Sequence, residues 1–201
     1  MIFCVTGPMA AGKNAASDIL STMGFACVDA DILTHKAIEN SREAILDAFG
    51  GIAAQNNISL TSADGSIDRR NLGALIFRDA SLLRKQESIV YPEVNRLFDD
   101  FVKEHSQKNI VLNATVLYKV PLIKKVDFII YVDAPVVLRY FRAKKRDNMK
   151  PSQILDRFKR QKDLFSKYKN CNADTVRVWN TGSRKSLEKK LVKILRNAGR
   201  G

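Results

Sequence analysis

Ile2-Phe3-Cys4-Val5-Thr6-Gly7-Pro8-Met9-Ala10-Ala11-Gly12-Lys13-Asn14 begins with a short β-prone apolar run, meets a breaker at Thr6-Gly7-Pro8 and runs into a helix. From Gly7 onward it matches G-x-x-x-x-G-K-[ST] at every place but the last. Glycines let the backbone curl so that successive N–H groups point at phosphate oxygens, and the following helix adds its positive end. A lysine at this place reaches the β- and γ-phosphates. Gly7, Ala10, Ala11, Gly12, Lys13, Asn14 and Ala15 are therefore the expected nucleotide-binding positions, and Lys13 is also a candidate for catalysis. Asn14 stands where a Ser or Thr hydroxyl usually coordinates Mg²⁺; its amide oxygen can also ligate a hard cation.

Outward from this loop, Ala15 to Met23 reads as a helix with Ala16, Ile19, Leu20 and Met23 on one face, and Gly24 as its C-terminal cap. Phe25 to Val28 is a second apolar run, ending in Asp29-Ala30-Asp31. Strand, loop, helix and strand within about thirty residues make a βαβ unit. Strand ends in such sheets face the ligand crevice. In extended chain, residues i and i+2 point the same way, so Asp29 and Asp31 are expected to share the site. One carboxylate would accept a proton from an attacking hydroxyl and the other help hold Mg²⁺; the plainer alternative is that they only cap the next helix.

A helix is expected from about Thr34 to Phe49, ended by Gly50-Gly51. Residues 52–68 are turn-rich, with Asp64-Gly65 the clearest turn, and 69–105 read as helical with a break or kink at Tyr91-Pro92. The span 34–105 interrupts the alternation and is the candidate substrate-binding insertion. Strands are expected again at Ile110 to Asn113, Phe128 to Val132 and Thr175 to Trp179. The intervening helices are expected after Pro135 and from Ser183 to Asn197. Apolar strands alternating with helices predict an α/β fold with a parallel sheet covered on both faces.

The 201 residues suit a single domain, 1–201, and no apolar run is long enough to span a bilayer. The start lacks the basic segment of a signal peptide, so a cytoplasmic protein is expected. Three cysteines without CxxC spacing argue against a disulfide framework or a zinc site. Charge is lopsided: residues 1–100 carry 9 Lys/Arg and 13 Asp/Glu, residues 101–201 carry 25 and 8. A basic half attracts polyanions, whether nucleic acid or nucleotide phosphates. Within 139–169, twelve Lys/Arg face three Asp/Glu, and Arg139, Arg142 and Arg146 fall on one helix face. This span is the candidate lid, closing cations over a phosphoryl group. The alternatives are a solvated cationic face or a nucleic-acid helix. Against the latter, few aromatics interleave.

Taken together, these residues resemble the dephospho-coenzyme A kinase family over about residues 2–190. Val5-Thr6-Gly7 through Lys13 is similar to that family's loop, and Val28-Asp29-Ala30-Asp31 to its V-I-D-A-D segment. Asp64-Gly65-Ser66-Ile67-Asp68-Arg69-Arg70 resembles D-G-x-[LI]-x-R; Arg142, Arg146-Asp147 and Gln161 resemble its lid; Asn180-Thr181-Gly182-Ser183 resembles its late turn. The chain departs from the pattern at Asn14, at Tyr91-Pro92 in place of His-Pro, and at Asn113 to Tyr118. The resemblance implies a three-layer P-loop kinase fold with a helical insertion and a basic lid, using ATP and Mg²⁺ on dephospho-CoA. It implies Asp31 as base or orienting group, Asn14 and Asp29 at the metal, and Arg142, helped by Arg146, on the migrating charge. Asn180 and Gly182 would lie near adenine, and Asp29, Asp31, Asp68, Arg69 and Tyr91 near the acceptor. Readings left open are another P-loop nucleoside or nucleotide kinase, an inactive relative, and a basic nucleic-acid-binding protein with a vestigial nucleotide site.

Overall fold

The structure is a computed structural model that describes residues 1–147 and 149–198. Five strands, β1 (Ile2–Thr6), β2 (Ala26–Asp29), β3 (Ile110–Asn113), β4 (Phe128–Asp133) and β5 (Asp174–Trp179), form one parallel sheet in the order β2-β3-β1-β4-β5. The helices are α1 (Lys13–Thr22), α2 (Ala30–Asn40), α3 (Arg42–Gln55), α4 (Arg69–Ile76), α5 (Ala80–Glu104), α6 (Val136–Asp147), α7 (Pro151–Arg160), α8 (Leu164–Lys169) and α9 (Arg184–Ala198). The chain divides into two compact units, one of residues 1–30 with 105–201 and one of residues 31–104.

The first unit holds the sheet. β3 and β4 are buried along their whole length, as expected of central parallel strands covered on both faces, whereas β5 buries only Val178. On one face Ile19 and Leu20 of α1 and Leu187 and Leu191 of α9 pack on Val5, Val111, Ile130, Val132 and Val178. On the other, Tyr131 of β4 meets Phe165 of α8 edge to face at 4.9 Å. Tyr168, fully buried, donates its hydroxyl to Thr115 O (3.0 Å) and accepts from the Leu117 N–H (2.8 Å). These are the three layers. Because β1 lies between β3 and β4, the loop after β1 opens at the point where the strand order reverses, where such sheets leave a crevice. α9 is capped as expected, Ser183 Oγ accepting from the Ser186 N–H at 3.3 Å.

The second unit is helical, and two expected interruptions are absent. Gly50 and Gly51 lie inside α3, which runs on to Gln55. Ile45, Phe49 and Ala53 form a buried stripe through the glycines, and that burial offsets a cost of about 1 kcal/mol per glycine. Pro92 does not break α5 either; the helices part instead at residues 77–79. Val90, Val94, Leu97 and Phe98 bury one face on both sides of the proline, offsetting a penalty of roughly 3 kcal/mol. Asp64-Gly65 does make a turn, with Gly65 at φ 81° and Thr61 bridged to Ile67. Among the described residues no helix is long and apolar enough to cross a membrane. Asn148 and the side chain of Asp147, within the expected lid, lie outside the described residues.

Candidate active site

Two glycines shape the loop between β1 and α1. Gly7 has φ 143°, and a Cβ there would sit 1.9 Å from Val132 O of β4. Gly12 has φ 106°, and a Cβ would sit 2.2 Å from Nδ2 of Asn180. Neither place admits a side chain. Ala10 takes a left-handed turn at φ 61°, and the Ala11 N–H donates to Pro8 O at 3.2 Å.

The loop is then clamped from three elements. Asn180, buried, donates from Nδ2 to Ala11 O at 2.9 Å. Arg142 of α6 donates to Ala11 O at 3.4 Å and to Asn180 O at 3.1 Å. Gln161, just past α7, accepts from the Met9 N–H at 2.7 Å. α1 starts at Lys13 with no acidic residue in its first turn, so its positive end is left for an anion. A pocket of about 240 Å³ lies there, walled by Ala10, Gly12, Lys13, Asn14 and Ala15 on one side and Arg142 and Arg146 on the other.

Beside it, Asn113 joins two of the expected site residues. Its Nδ2 donates to Asp29 Oδ2 at 2.9 Å and to Asn14 Oδ1 at 3.1 Å. The sheet register accounts for the bond to Asp29, because the last residues of β2 and β3, Asp29 and Asn113, are partners. Asp29 Oδ2 is the acceptor, so Asn113 turns its NH₂ toward it. The second hydrogen of that NH₂ in turn requires Asn14 to present its oxygen. The donor set is thus a carboxylate and an amide oxygen. No group of three or more His, Cys, Asp or Glu that could hold a metal occurs among the described residues. One carboxylate, one amide oxygen and the oxygens of phosphate and water suit Mg²⁺, which keeps much of its shell from substrate and solvent.

Other expectations fare differently. Asp29 ends β2, but Asp31 belongs to the first turn of α2, so the extended-chain alternation expected for the pair does not hold. Asn180 spends its amide on the loop backbone, and Gly182 lies in the turn before α9, with a Cβ position 3.3 Å from Ser186. Arg139 does not join Arg142 and Arg146 at the loop pocket; its guanidinium lies over the Phe158 ring of α7 at 4.4 Å.

In the second unit, Asp68 caps α4, accepting from the Asn71 N–H at 2.9 Å. Asp68, Arg69 and Arg70 line a cavity of about 730 Å³ with His35, Lys36 and Glu39 of α2. Tyr91 is not among its walls. That hydroxyl donates to Glu87 Oε1, one turn away, at 2.8 Å, and burial with the Glu87 carboxylate pushes the phenol pKa up. Sequence reasoning missed Asn113, His35 and Lys36. An asparagine closing the apolar run Ile110 to Leu112 was a usable signal, since strand C-termini face the crevice.

A glycine-framed loop at the reversal point of a parallel β2-β3-β1-β4-β5 sheet, opening a helix whose lysine shares a pocket with two arginines, defines a P-loop kinase. Residues 1–185 match the dephospho-CoA kinase family. The dephospho-CoA kinase of Treponema denticola is 39% identical over 97% of this chain and 89% of its own length. A crystal structure from Thermus thermophilus superimposes with a TM-score of 0.80 at 26% identity, covering 98% of this chain and 97% of that one. The dephospho-CoA kinase of Campylobacter jejuni shares the fold, with TM-score 0.62 at 23% identity over 100% and 98% of the two chains. The chain belongs to the dephospho-CoA kinase family.

Proposed function

We propose that this chain transfers the γ-phosphoryl group of ATP to the ribose 3′-hydroxyl of dephospho-CoA, giving CoA and ADP in the last step of CoA biosynthesis. We place the reaction in the cytoplasm. The observation that carries the reading is the small pocket where Lys13 and the N-terminus of α1 face Arg142 and Arg146, in a chain of this family. Phosphoryl transfer disperses negative charge over the migrating group, so positioning and electrostatic stabilisation account for most of the catalysis.

In this reading the loop N–H groups and Lys13 bind the β- and γ-phosphates. Arg142 is anchored by two backbone carbonyls and keeps further N–H groups for the migrating charge, with Arg146 as helper. Asn14 and Asp29 would hold Mg²⁺, which when bound neutralises the phosphate oxygens. Asp31 accepts or orients the proton of the attacking hydroxyl. The cavity of Asp68 and Arg69 takes part of the acceptor, within an insertion of about 34–105. Residues 139–169 act as the lid, excluding water.

The test is ADP release by purified protein with Mg·ATP and dephospho-CoA, adenosine, AMP or no acceptor. Release that depends on dephospho-CoA, with CoA identified by mass spectrometry, is expected. Release only with another acceptor would keep the kinase and discard this substrate.

A further inference from the structure

A second pocket, of about 440 Å³, lies behind the phosphate loop, between β4, β5 and the helices α6 to α8. It adjoins the loop at Pro8 but shares no wall with the pocket over Lys13. Four cations line it, Arg139, Lys159, Lys162 and Arg177, against one acid, Asp133. That carboxylate is already committed. Its Oδ2 accepts from Arg177 Nε at 2.9 Å and also from Arg177 Nη2, and its Oδ1 accepts from the Ala134 N–H at 2.7 Å.

Arg139 is the anomaly. It is only 8% exposed, yet its Nε and Nη1 have no hydrogen-bond partner. Burial pushes its pKa below the usual guanidinium value, as for a charge removed from water without a full counterpart. Buried unpaired donors are rare in folded proteins and call for an occupant. The aromatic walls do not supply it. Arg139 lies over Phe158 at 4.4 Å, and Arg177 over Phe165 at 4.8 Å and Trp179 at 4.4 Å. Stacking uses the face of a guanidinium, so Arg139 Nε and Nη1 still need oxygen acceptors, as does Arg177 Nη1 beside the Nε and Nη2 given to Asp133.

We propose that this pocket is a second anion site, built to take a phosphate-bearing ligand of the diphosphate class on the N–H groups of Arg139 and on the Nη1 of Arg177 that Asp133 leaves, with Lys159 and Lys162 at its rim. Its volume and its excess of three positive charges exceed the needs of one carboxylate. The diphosphate would come either from a free anion or from the acceptor, and the proposal stands in both cases because its test does not depend on the identity of the acceptor.

The probe is inorganic pyrophosphate, titrated calorimetrically into the full chain with the phosphate loop saturated by the magnesium complex of a non-hydrolysable ATP analogue. The expected result is uptake of pyrophosphate by wild type, weakened about tenfold or more in Arg139→Gln and in Lys162→Glu. Lys162 is exposed, so its variant should melt as wild type does and serves if Arg139→Gln fails to fold. Saturating dephospho-CoA then separates the sources: exclusion of pyrophosphate assigns the site to the acceptor's diphosphate, and simultaneous binding assigns it to a free anion. No uptake by wild type, or equal affinity in both variants, overturns the proposal.

Discussion

Asn113 Nδ2 lies 2.9 Å from Asp29 Oδ2, and the same nitrogen reaches Asn14 Oδ1 at 3.1 Å. One amide therefore orients the two oxygens proposed above to hold Mg²⁺. Asn113→Val should raise the Mg²⁺ concentration for half-maximal turnover several-fold, roughly what one or two lost hydrogen bonds at about 1 kcal/mol each imply. Mn²⁺ binding followed by electron paramagnetic resonance should weaken in parallel. Asn14→Ser alone would strand an Asn113 N–H, so Asn14→Ser with Asn113→Val should retain more metal affinity than Asn14→Ser. If the double variant is the worse of the two, the pair is not matched.

Lys13→Ala should lower kcat by about two orders of magnitude or more, given the charge it removes from the migrating group. The circular dichroism spectrum should not change, because Lys13 lies at the start of α1 and outside the core. Near-normal turnover would remove the phosphate-loop assignment.

Asp31→Asn should depress kcat while leaving nucleotide affinity, read by fluorescence titration of an ADP analogue, within about twofold of wild type. An unchanged kcat would leave Asp31 as a first-turn residue of α2 and no more.

Two glycines should respond in opposite directions. Gly7→Ala drives a Cβ to 1.9 Å from the backbone oxygen of Val132, which cannot move without disturbing β4. A loss of about 2 kcal/mol or more in urea unfolding is expected. Gly51 lies within α3 with open space at its Cβ, so Gly51→Ala should gain about 0.5–1 kcal/mol.

Stability in acid should depend on Glu93. Hydrogen bonds from Arg96 and Asn40 pull its carboxyl from an ordinary 4.5 to about 2. A depressed carboxylate stabilises the fold above its unfolded pKa, and the contribution is lost as pH falls toward the folded value. Glu93→Gln should therefore unfold at lower urea than wild type at pH 7. The gap should close between about pH 4.5 and 2. A gap that persists at pH 2 would place its cause in packing.

The legible parts were those whose cause is local. β1, its loop, α1 and β2 follow from an apolar run, a glycine-framed motif, a helical period and a cap at Gly24. Gly50-Gly51 and Pro92 carry a local cost that predicts interruptions, and the buried stripes around them outweigh it. The sequence pattern predicts extended chain at Asp31, but α2 begins one residue earlier, at Ala30.

By itself the sequence determined the phosphate loop, the alternation of strands and helices, and the concentration of cations in the second half. The loop and each single element depend on residues a few places apart, and the charge needs only a count along the chain. Tertiary structure decided which cations face the loop and what holds the oxygens of Asn14 and Asp29. Phe158 of α7 draws Arg139 away from Arg142 and Arg146, although all three lie on one helix. Asn113 reaches Asp29 across 84 residues because the register of β2 on β3 sets those strand ends side by side, and Asn14 across 99 because β1, whose loop leads into α1, pairs with the other side of β3. A hydrogen bond needs its two atoms within about 3 Å, and only the folded sheet brings such distant residues that close.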